Sequence, residues 1–190
     1  MYYDDEGKDF KYLRTKEKEA ALYYLYMMAD GKVSESEEEL FSILCKECEI
    51  DDKEKQDVIS ICGKYEDEED ILEVIKRERL ENDIVGEFLF FDKKEAARLV
   101  WNLINLGYAD EYYSEDEKEI VTYIAEKSLL DKGIVREFTD IADTMLALTK
   151  QKKWADSVME NPEEKRRKKK ELSRDITKLS ESVKIIIDEI

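Results

Sequence analysis

Two short acidic stretches of this chain share one pattern. Residues 29–37 read ADGKVSESE and residues 109–117 read ADEYYSEDE, so the skeleton A-D-x-x-x-S-E-x-E returns eighty residues later. The same offset continues without insertion as far as Asp51 and Asp131. A match at a fixed offset indicates an internal structural repeat. We therefore expect two copies of one structural unit, at about residues 15–65 and 93–149.

Each copy has the periodicity of helices. Residues 15–28 are apolar on nearly every side of a helix, which is typical of a buried helix, and residues 93–106 are predicted to form the equivalent apolar helix of the second copy. Each acidic stretch then ends in a capping box, in which a Ser side chain and a Glu three residues later satisfy the first free amides of a helix. These boxes are Ser34 with Glu37 and Ser114 with Glu117. The pattern in each copy is helix, acidic loop, helix.

The composition agrees with an all-α protein. The chain has 190 residues, of which 42% are apolar and 43% charged, and only one is proline. We expect an N-terminal arm (residues 1–14), one helical domain (15–150) and a C-terminal helical extension (151–190). A short apolar segment, residues 84–91, is expected to seal the core between the copies. The longest apolar run, residues 20–29, is too short to span a membrane, so the predicted location is the cytoplasm.

Net charge narrows the choice of partners. The formal charge is −17, and residues 151–190 carry eleven basic against nine acidic side chains, which leaves −19 on the first 150 residues. A body of this sign repels nucleic acid, so no nucleic acid is expected as a ligand. Cations or basic proteins are the expected partners, although such a charge also serves solubility alone.

The motif resembles a known family. A helix that ends in A-D-G-x-[VI]-S-x-x-E, with a second copy later in the chain, is similar to the TerB-like domain first associated with tellurite resistance. The resemblance covers about residues 15–150. The second copy departs from the pattern at Glu111, where Gly is usual and where only Gly tolerates a positive φ easily. The resemblance implies an all-helical fold, association with bacterial stress-response systems near membranes, a proposed cation-binding acidic surface and no established enzymatic activity.

The acidic loops are the candidate metal site. If the two copies are related by a pseudo-twofold axis, four carboxylates come together, and oxygen ligands of this kind suit Ca²⁺, Mg²⁺ or Mn²⁺. The four predicted ligands are Asp30, Glu37, Asp110 and Glu117. The alternative is that these side chains only cap helices.

The sequence gives little support for a zinc site or for catalysis. Cys45-x-x-Cys48 and Cys62 have no histidine to complete a zinc site, and Ala or Ser stands at the equivalent positions of the second copy. We therefore expect buried cysteines that fill the core. The chain lacks histidine and any glycine-rich phosphate loop, so we predict a protein that is not an enzyme, with no catalytic residues.

The C-terminal extension has an apolar stripe. Its members recur at alternating spacings of four and three and are the candidate partner-binding residues: Leu172, Ile176, Leu179, Val183 and Ile186. The stripe is wider than a coiled coil needs, which favours packing on the domain or on a protein partner, with self-dimerisation as the alternative. Trp154 and Val158 are expected to attach the start of the extension to the domain. The basic run of residues 165–170 surrounds the helix and is expected to be solvated or paired within the chain.

The sequence therefore predicts a cytoplasmic binding module of a stress or defence system, with divalent-cation binding as the sharper hypothesis. Two alternatives remain open. One is an acidic inhibitor or immunity-type protein that covers a basic surface on its target. The other is an assembly scaffold that acts through its C-terminal helix.

Overall fold

A computed structural model describes residues 15–81 and 92–190. The predicted arm at residues 1–14 and the apolar segment at 84–91 lie outside these residues. The described chain is helical and contains no strand. Its helices are α1 (Thr15–Met27), α2 (Glu35–Glu47), α3 (Asp52–Cys62), α4 (Ile71–Glu81), α5 (Lys93–Gly107), α6 (Glu115–Lys127), α7 (Lys132–Val158) and α8 (Pro162–Glu189), with a 3₁₀ turn at Gly63–Tyr65. The all-α prediction is confirmed.

The chain divides into two compact units. The first unit holds the described residues up to 81 together with Ser114–Ile120, and the second holds residues 92–113 together with Val121–Ile190. Helix α6 therefore contributes its first turns to the first unit and its remainder to the second.

Helix α1 is the centre of the first unit. It contacts α2, α3 and α4, and its side chains from Ala20 to Met27 are buried with the exception of Tyr24. Tyr24 lies over Phe41 of α2, with ring centroids 5.6 Å apart. The Cys62 thiol of α3 lies 3.9 Å from the Ala21 carbonyl oxygen. A helix that is apolar on all sides is stable only when other helices surround it, and here three of them do.

The second unit is built on a long helical hairpin. Helices α7 and α8 pack along each other, and α5 packs on both. Trp101 of α5 meets Phe138 of α7 edge to face at 5.6 Å. The Lys94 ammonium donates to the Asp188 carbonyl oxygen at 2.6 Å, so α5 also satisfies an acceptor at the end of α8.

The hairpin differs from the expected tail in two respects. The predicted domain boundary at residue 151 lies inside α7, which continues to Val158. The expectation that Trp154 and Val158 attach the extension to the domain is wrong, because these side chains are 58% and 55% exposed. Ala155, which lies between them, faces inward and is fully buried. A small residue at that position lets two helices approach closely, while residues 154 and 158 share a face that points away.

Candidate functional site

The first acidic loop is a turn that leads into a capped helix. Asp30 Oδ1 accepts a hydrogen bond from the Lys32 amide at 2.9 Å, and Gly31 has a φ of 77°. The Ser34 amide donates to Glu37 Oε2 at 2.7 Å, and the Glu37 amide donates to Ser34 Oγ at 3.2 Å. The predicted capping box is present. Its closure buries Glu37, which is only 3% exposed.

The second loop repeats this geometry bond for bond. Asp110 Oδ1 accepts from the Tyr112 amide at 2.8 Å. The Ser114 amide donates to Glu117 Oε2 at 2.7 Å, and the Glu117 amide donates to Ser114 Oγ at 3.2 Å. Glu117 is 3% exposed, the same fraction as Glu37.

Glu111 takes the backbone conformation of the glycine that it replaces. Its φ is 71°, in the left-handed region that disfavours a residue with a Cβ atom. Its carboxylate forms ion pairs with Lys150 and Lys153 of α7, and these pairs lower the pKa of Glu111. The side chain thus gains contacts in the second unit that a glycine would lack, which offsets part of the backbone cost.

Glu117 is the carboxyl group with unusual electrostatics. Its pKa is raised to about 7, chiefly by burial and also by the charges of Asp30 and Glu37, while its hydrogen bonds with Ser114 act in the opposite direction. Asp30, Glu37 and Glu117 all belong to the first unit. Three of the four predicted ligands therefore lie within electrostatic range of one another.

The fourth predicted ligand, Asp110, belongs to the second unit. Within the described residues, no group of three or more Asp, Glu or Cys side chains is arranged to hold a metal ion directly. One carboxylate oxygen accepts a hydrogen bond from a backbone amide in each of Asp30, Glu37 and Glu117. The three carboxylates therefore concentrate negative charge without forming a closed coordination shell.

A second acidic feature of the first unit was not predicted from the sequence. A cleft of about 140 Å³ is lined by apolar side chains and by four carboxylates, and we call it the carboxylate cleft. The four carboxylates are Glu69, Asp70, Asp116 and Glu119. Residues 66–70 signal the start of a helix, and Asp70 does accept from the Glu73 amide at 3.0 Å. Nothing in that local signal indicates that the first turn of α6 lies opposite.

All three cysteines are free and buried. Burial raises the pKa of the Cys45 thiol to about 11 and that of Cys62 to about 12. Thiols with such pKa values are poor nucleophiles and poor metal ligands at neutral pH. Their surroundings fit the predicted role as core-filling residues.

The predicted partner-binding stripe of α8 faces its own chain in part. Leu172 and Val183 are each 2% exposed, on a helix that packs against α7 and α5. The other three residues of the stripe, Ile176, Leu179 and Ile186, are half-buried. No helix among the described residues combines the length and apolar character that crossing a bilayer needs.

Comparison with known proteins places the chain in a family. The family model described as tellurite resistance protein TerB matches residues 16–132, more than half of the chain. The match begins in α1, includes both acidic loops and ends at the start of α7. Searches of curated proteins and of solved structures gave no significant match. The chain belongs to the family of the tellurite resistance protein TerB.

Proposed function

We propose that this protein is a non-enzymatic binding module of a tellurite-resistance or related stress system, and that its first unit attracts a divalent cation to Asp30, Glu37 and Glu117. The observation that carries the proposal is the buried Glu117 carboxyl, whose pKa lies near 7. Near neutral pH this group exchanges a proton readily, and a cation can take the place of that proton.

The arrangement favours a hydrated ion. Each of the three carboxylates uses one oxygen to accept a backbone amide of its own turn, so a bound ion would complete its shell with water. Mg²⁺ commonly retains several waters and uses only one or two carboxylates, and Ca²⁺ accepts irregular shells of oxygen ligands that include water. Ligand water would bridge carboxylates that stand too far apart for direct coordination.

The proposal is tested on the full chain by following the Glu117 carboxyl resonance across a pH titration, with and without Ca²⁺ or Mg²⁺. We expect the divalent ion to lower the apparent pKa of Glu117, because the cation stabilises the charged form. We also expect the melting temperature to rise by mass action. NaCl at matched ionic strength should give a smaller decrease in the pKa of Glu117 and a smaller increase in the melting temperature. An equal response to NaCl would contradict the proposal, since screening alone would then explain the shifts.

Three single variants locate the site. Asp30→Asn keeps the turn acceptor but removes the charge, so it should weaken the response to divalent ions. Asp51→Asn is the matched control, because Asp51 accepts a backbone amide at the start of α3 and is exposed. Asp110→Asn asks whether the fourth predicted ligand takes part. A loss equal to that of Asp30→Asn supports a four-carboxylate site, whereas no loss confines the site to the first unit.

A second candidate function is the covering of a basic protein surface. It is favoured by the charge of the first unit, whose described residues, 15–81 and 114–120, carry 11 Lys+Arg against 25 Asp+Glu. Such a surface accelerates association with a basic partner in a manner that falls with ionic strength. A spermine titration beside the Mg²⁺ titration separates the two functions. Spermine carries several spaced charges, so a stronger response to it than to Mg²⁺ would favour a basic partner.

A further inference from the structure

The two units differ in charge. The described residues of the first unit carry 11 basic and 25 acidic side chains, or −14. Those of the second unit, 92–113 and 121–190, carry 18 of each sign and are neutral. Within the second unit, residues 166–178 of α8 hold seven basic and two acidic side chains, or +5. Positive charge is therefore concentrated on one part of one helix.

One side of this part of α8 is turned toward α7. The Lys165 ammonium donates to the Asp156 carbonyl oxygen at 2.5 Å, and Lys169 pairs with the Asp156 carboxylate at 2.6 Å. Leu172, less than one turn further along α8, is 2% exposed. Residues three and four apart lie on the same side of a helix, so these side chains mark the inward side of α8.

The opposite side of α8 is a row of cations that we call the basic face. At about 100° per residue its four members lie within about 100° of one another around the helix axis, and all are exposed: Arg166, Arg167, Lys170 and Arg174. The row is about 12 Å long at 1.5 Å per residue. The first three members form no ion pair with the described part of the chain, and the fourth lies 3.7 Å from the neighbouring Asp175. The basic face is therefore largely without compensating charge.

The carboxylate cleft of the first unit is complementary to the basic face. Its four carboxylates are exposed, and none forms an ion pair within the described residues. The acidic residues next to them in sequence, Glu68 and Glu115, already pair with Arg77 and Lys118. Four carboxylates around one cleft thus match four cations on one helix face in sign and in number.

We propose that the basic face of α8 docks on the first unit of a second copy of this chain, against the carboxylate cleft. Surfaces of opposite charge steer association and fix its register. The net repulsion between two acidic copies is screened beyond a Debye length of about 8 Å at physiological salt, whereas charges in contact are screened much less. A nucleic acid suits the basic face less well, because the chain as a whole is acidic and the face has no aromatic side chain on which bases could stack.

Such a contact joins two different surfaces of the same chain and is therefore heterologous. Each copy can engage one neighbour through its basic face and another through its carboxylate cleft. Heterologous contacts close into rings or continue as open chains, so the assembly does not stop at two copies. This arrangement would make the protein an assembly scaffold that acts through the outward side of its C-terminal helix.

The test measures the mass of the full chain by light scattering at about 0.02 M and about 0.3 M salt. At low salt the mass should rise with protein concentration beyond that of two chains, and at high salt it should return to that of one. The face variant, Arg166→Gln, Lys170→Gln, Arg174→Gln, should weaken association by about tenfold, because each exposed ion pair contributes modestly.

The matched control removes three cations from exposed positions of the second unit outside α8. It is the triple change Lys93→Gln, Lys127→Gln, Arg136→Gln, and it should associate as the wild type does. The melting temperature of every variant at low salt shows whether it is folded.

The cleft variant, Glu69→Gln, Asp116→Asn, Glu119→Gln, should weaken association as much as the face variant does. It leaves the three carboxylates of the proposed cation site unchanged, so its result is independent of that site. A mixture of the face variant and the cleft variant retains one intact contact, from the basic face of one to the cleft of the other. The mixture should therefore form pairs at the wild-type affinity and no larger assembly.

Several results would overturn the proposal. They are a folded wild type that stays a single chain at low salt, a face variant or cleft variant that associates as the wild type does, and a mixture of the two that stays unpaired. Capture of duplex DNA by a chain that does not associate with itself, with loss of capture in the face variant, would also overturn it. That result would assign the basic face to nucleic acid.

Discussion

At the scale of single residues, the backbone conformations of the two acidic copies agree closely. Four described residues have a left-handed backbone, and they form two pairs eighty residues apart. Gly31 and Glu111 have φ values of 77° and 71°, and Glu49 and Leu129 have φ values of 56° and 54°. Glu111 and Glu49 gain ion pairs with lysines, but Leu129 is 76% exposed. The strain at Leu129 therefore lacks an evident compensation.

Leu129→Gly should stabilise the protein. The left-handed conformation costs a residue with a Cβ atom about 1–2 kcal/mol, and glycine escapes that cost while losing more freedom on folding. We expect a net gain of about 0.5–1 kcal/mol in the free energy of unfolding, measured by urea denaturation. Lys46→Gly, at an exposed helical position, is the control and should lose about 1 kcal/mol. A loss of stability in both variants would show that the Leu129 side chain makes a contribution of its own.

Glu117→Gln should change how stability depends on pH. The pKa of Glu117 is raised from 4.5 to about 7, so the folded state binds the proton more tightly than the unfolded state. The unfavourable contribution is absent below about pH 4.5, grows as the pH rises to about 7, and is then constant at about 3 kcal/mol. Gln keeps the capping box and cannot ionise, so the variant should exceed the wild type in stability at pH 8 and match it near pH 4.

The control for this variant is Glu54→Gln. Glu54 occupies the same position of a capping box at the start of α3, where its bonds lie at the surface. A pH dependence of Glu117→Gln equal to that of Glu54→Gln would contradict the raised pKa of Glu117.

The cysteines should react slowly with Ellman's reagent in the native protein. The thiolate is the reactive form, and burial raises the pKa of Cys45 to about 11 and of Cys62 to about 12. All three should react at once in denaturant. Rapid labelling of the folded chain at pH 8 would contradict the burial of these thiols.

At the scale of helices, the sequence predicts what local chemistry determines. The capping boxes at Ser34 and Ser114 start α2 and α6 where expected, because cap and helix lie within four residues of each other. No local signal of this kind marks where α7 ends relative to the predicted boundary at residue 151. Residues 150–153 read Lys-Gln-Lys-Lys, which are good helix formers without a breaker, and α7 continues to the residues before Pro162.

Val183→Asp should strongly destabilise the second unit. Val183 is 2% exposed on α8, and an unpaired buried carboxylate there should cost about 4 kcal/mol. Ile185→Asp is the matched control two residues away, where the side chain is 56% exposed, and it should change stability by no more than about 0.5 kcal/mol.

Light scattering on these two variants addresses the alternative of self-dimerisation. If α8 packs only on its own chain, the mass stays constant while the melting temperature of Val183→Asp falls. A halved mass in Val183→Asp with an unaltered melt would instead assign the stripe of α8 to a dimer.

At the scale of the whole molecule, the candidate site was predicted only in part. The repeat pattern identified Asp30, Glu37 and Glu117, which the first unit brings within electrostatic range. The raised pKa of Glu117 depends on burial by residues distant in sequence, and no local pattern encodes it. The same limit applies to the carboxylate cleft, since it requires the first turn of α6 to lie beside the start of α4.

Unequal charge makes a prediction about salt. The described residues of the first unit carry a formal charge of −14, whereas those of the second, 92–113 and 121–190, carry 18 basic and 18 acidic side chains. The self-repulsion of the first unit is relieved as the Debye length falls from roughly 30 Å at 0.01 M salt to about 8 Å at 0.15 M. We expect a rise in melting temperature of about 5 °C, which corresponds to a gain of about 2 kcal/mol for a chain of this size. Trp101 and Trp154 both belong to the second unit, so fluorescence reports its unfolding alone, whereas circular dichroism reports both units.

Because α6 is shared by the two units, we expect tryptophan fluorescence and circular dichroism to report the same unfolding transition. Helix α6 belongs to the first unit through Ile120 and to the second from Val121, so neither unit can unfold completely without breaking it. The neutral second unit should therefore follow the acidic one, and both probes should move together when salt is added. The tetramethylammonium cation cannot coordinate carboxylates, but it screens charge as Na⁺ does. Tetramethylammonium chloride should therefore give the same rise in melting temperature if screening is the cause. A tryptophan transition that stays fixed while the circular dichroism transition moves would contradict this coupling, because the acidic unit would then unfold alone and α6 would break near its middle.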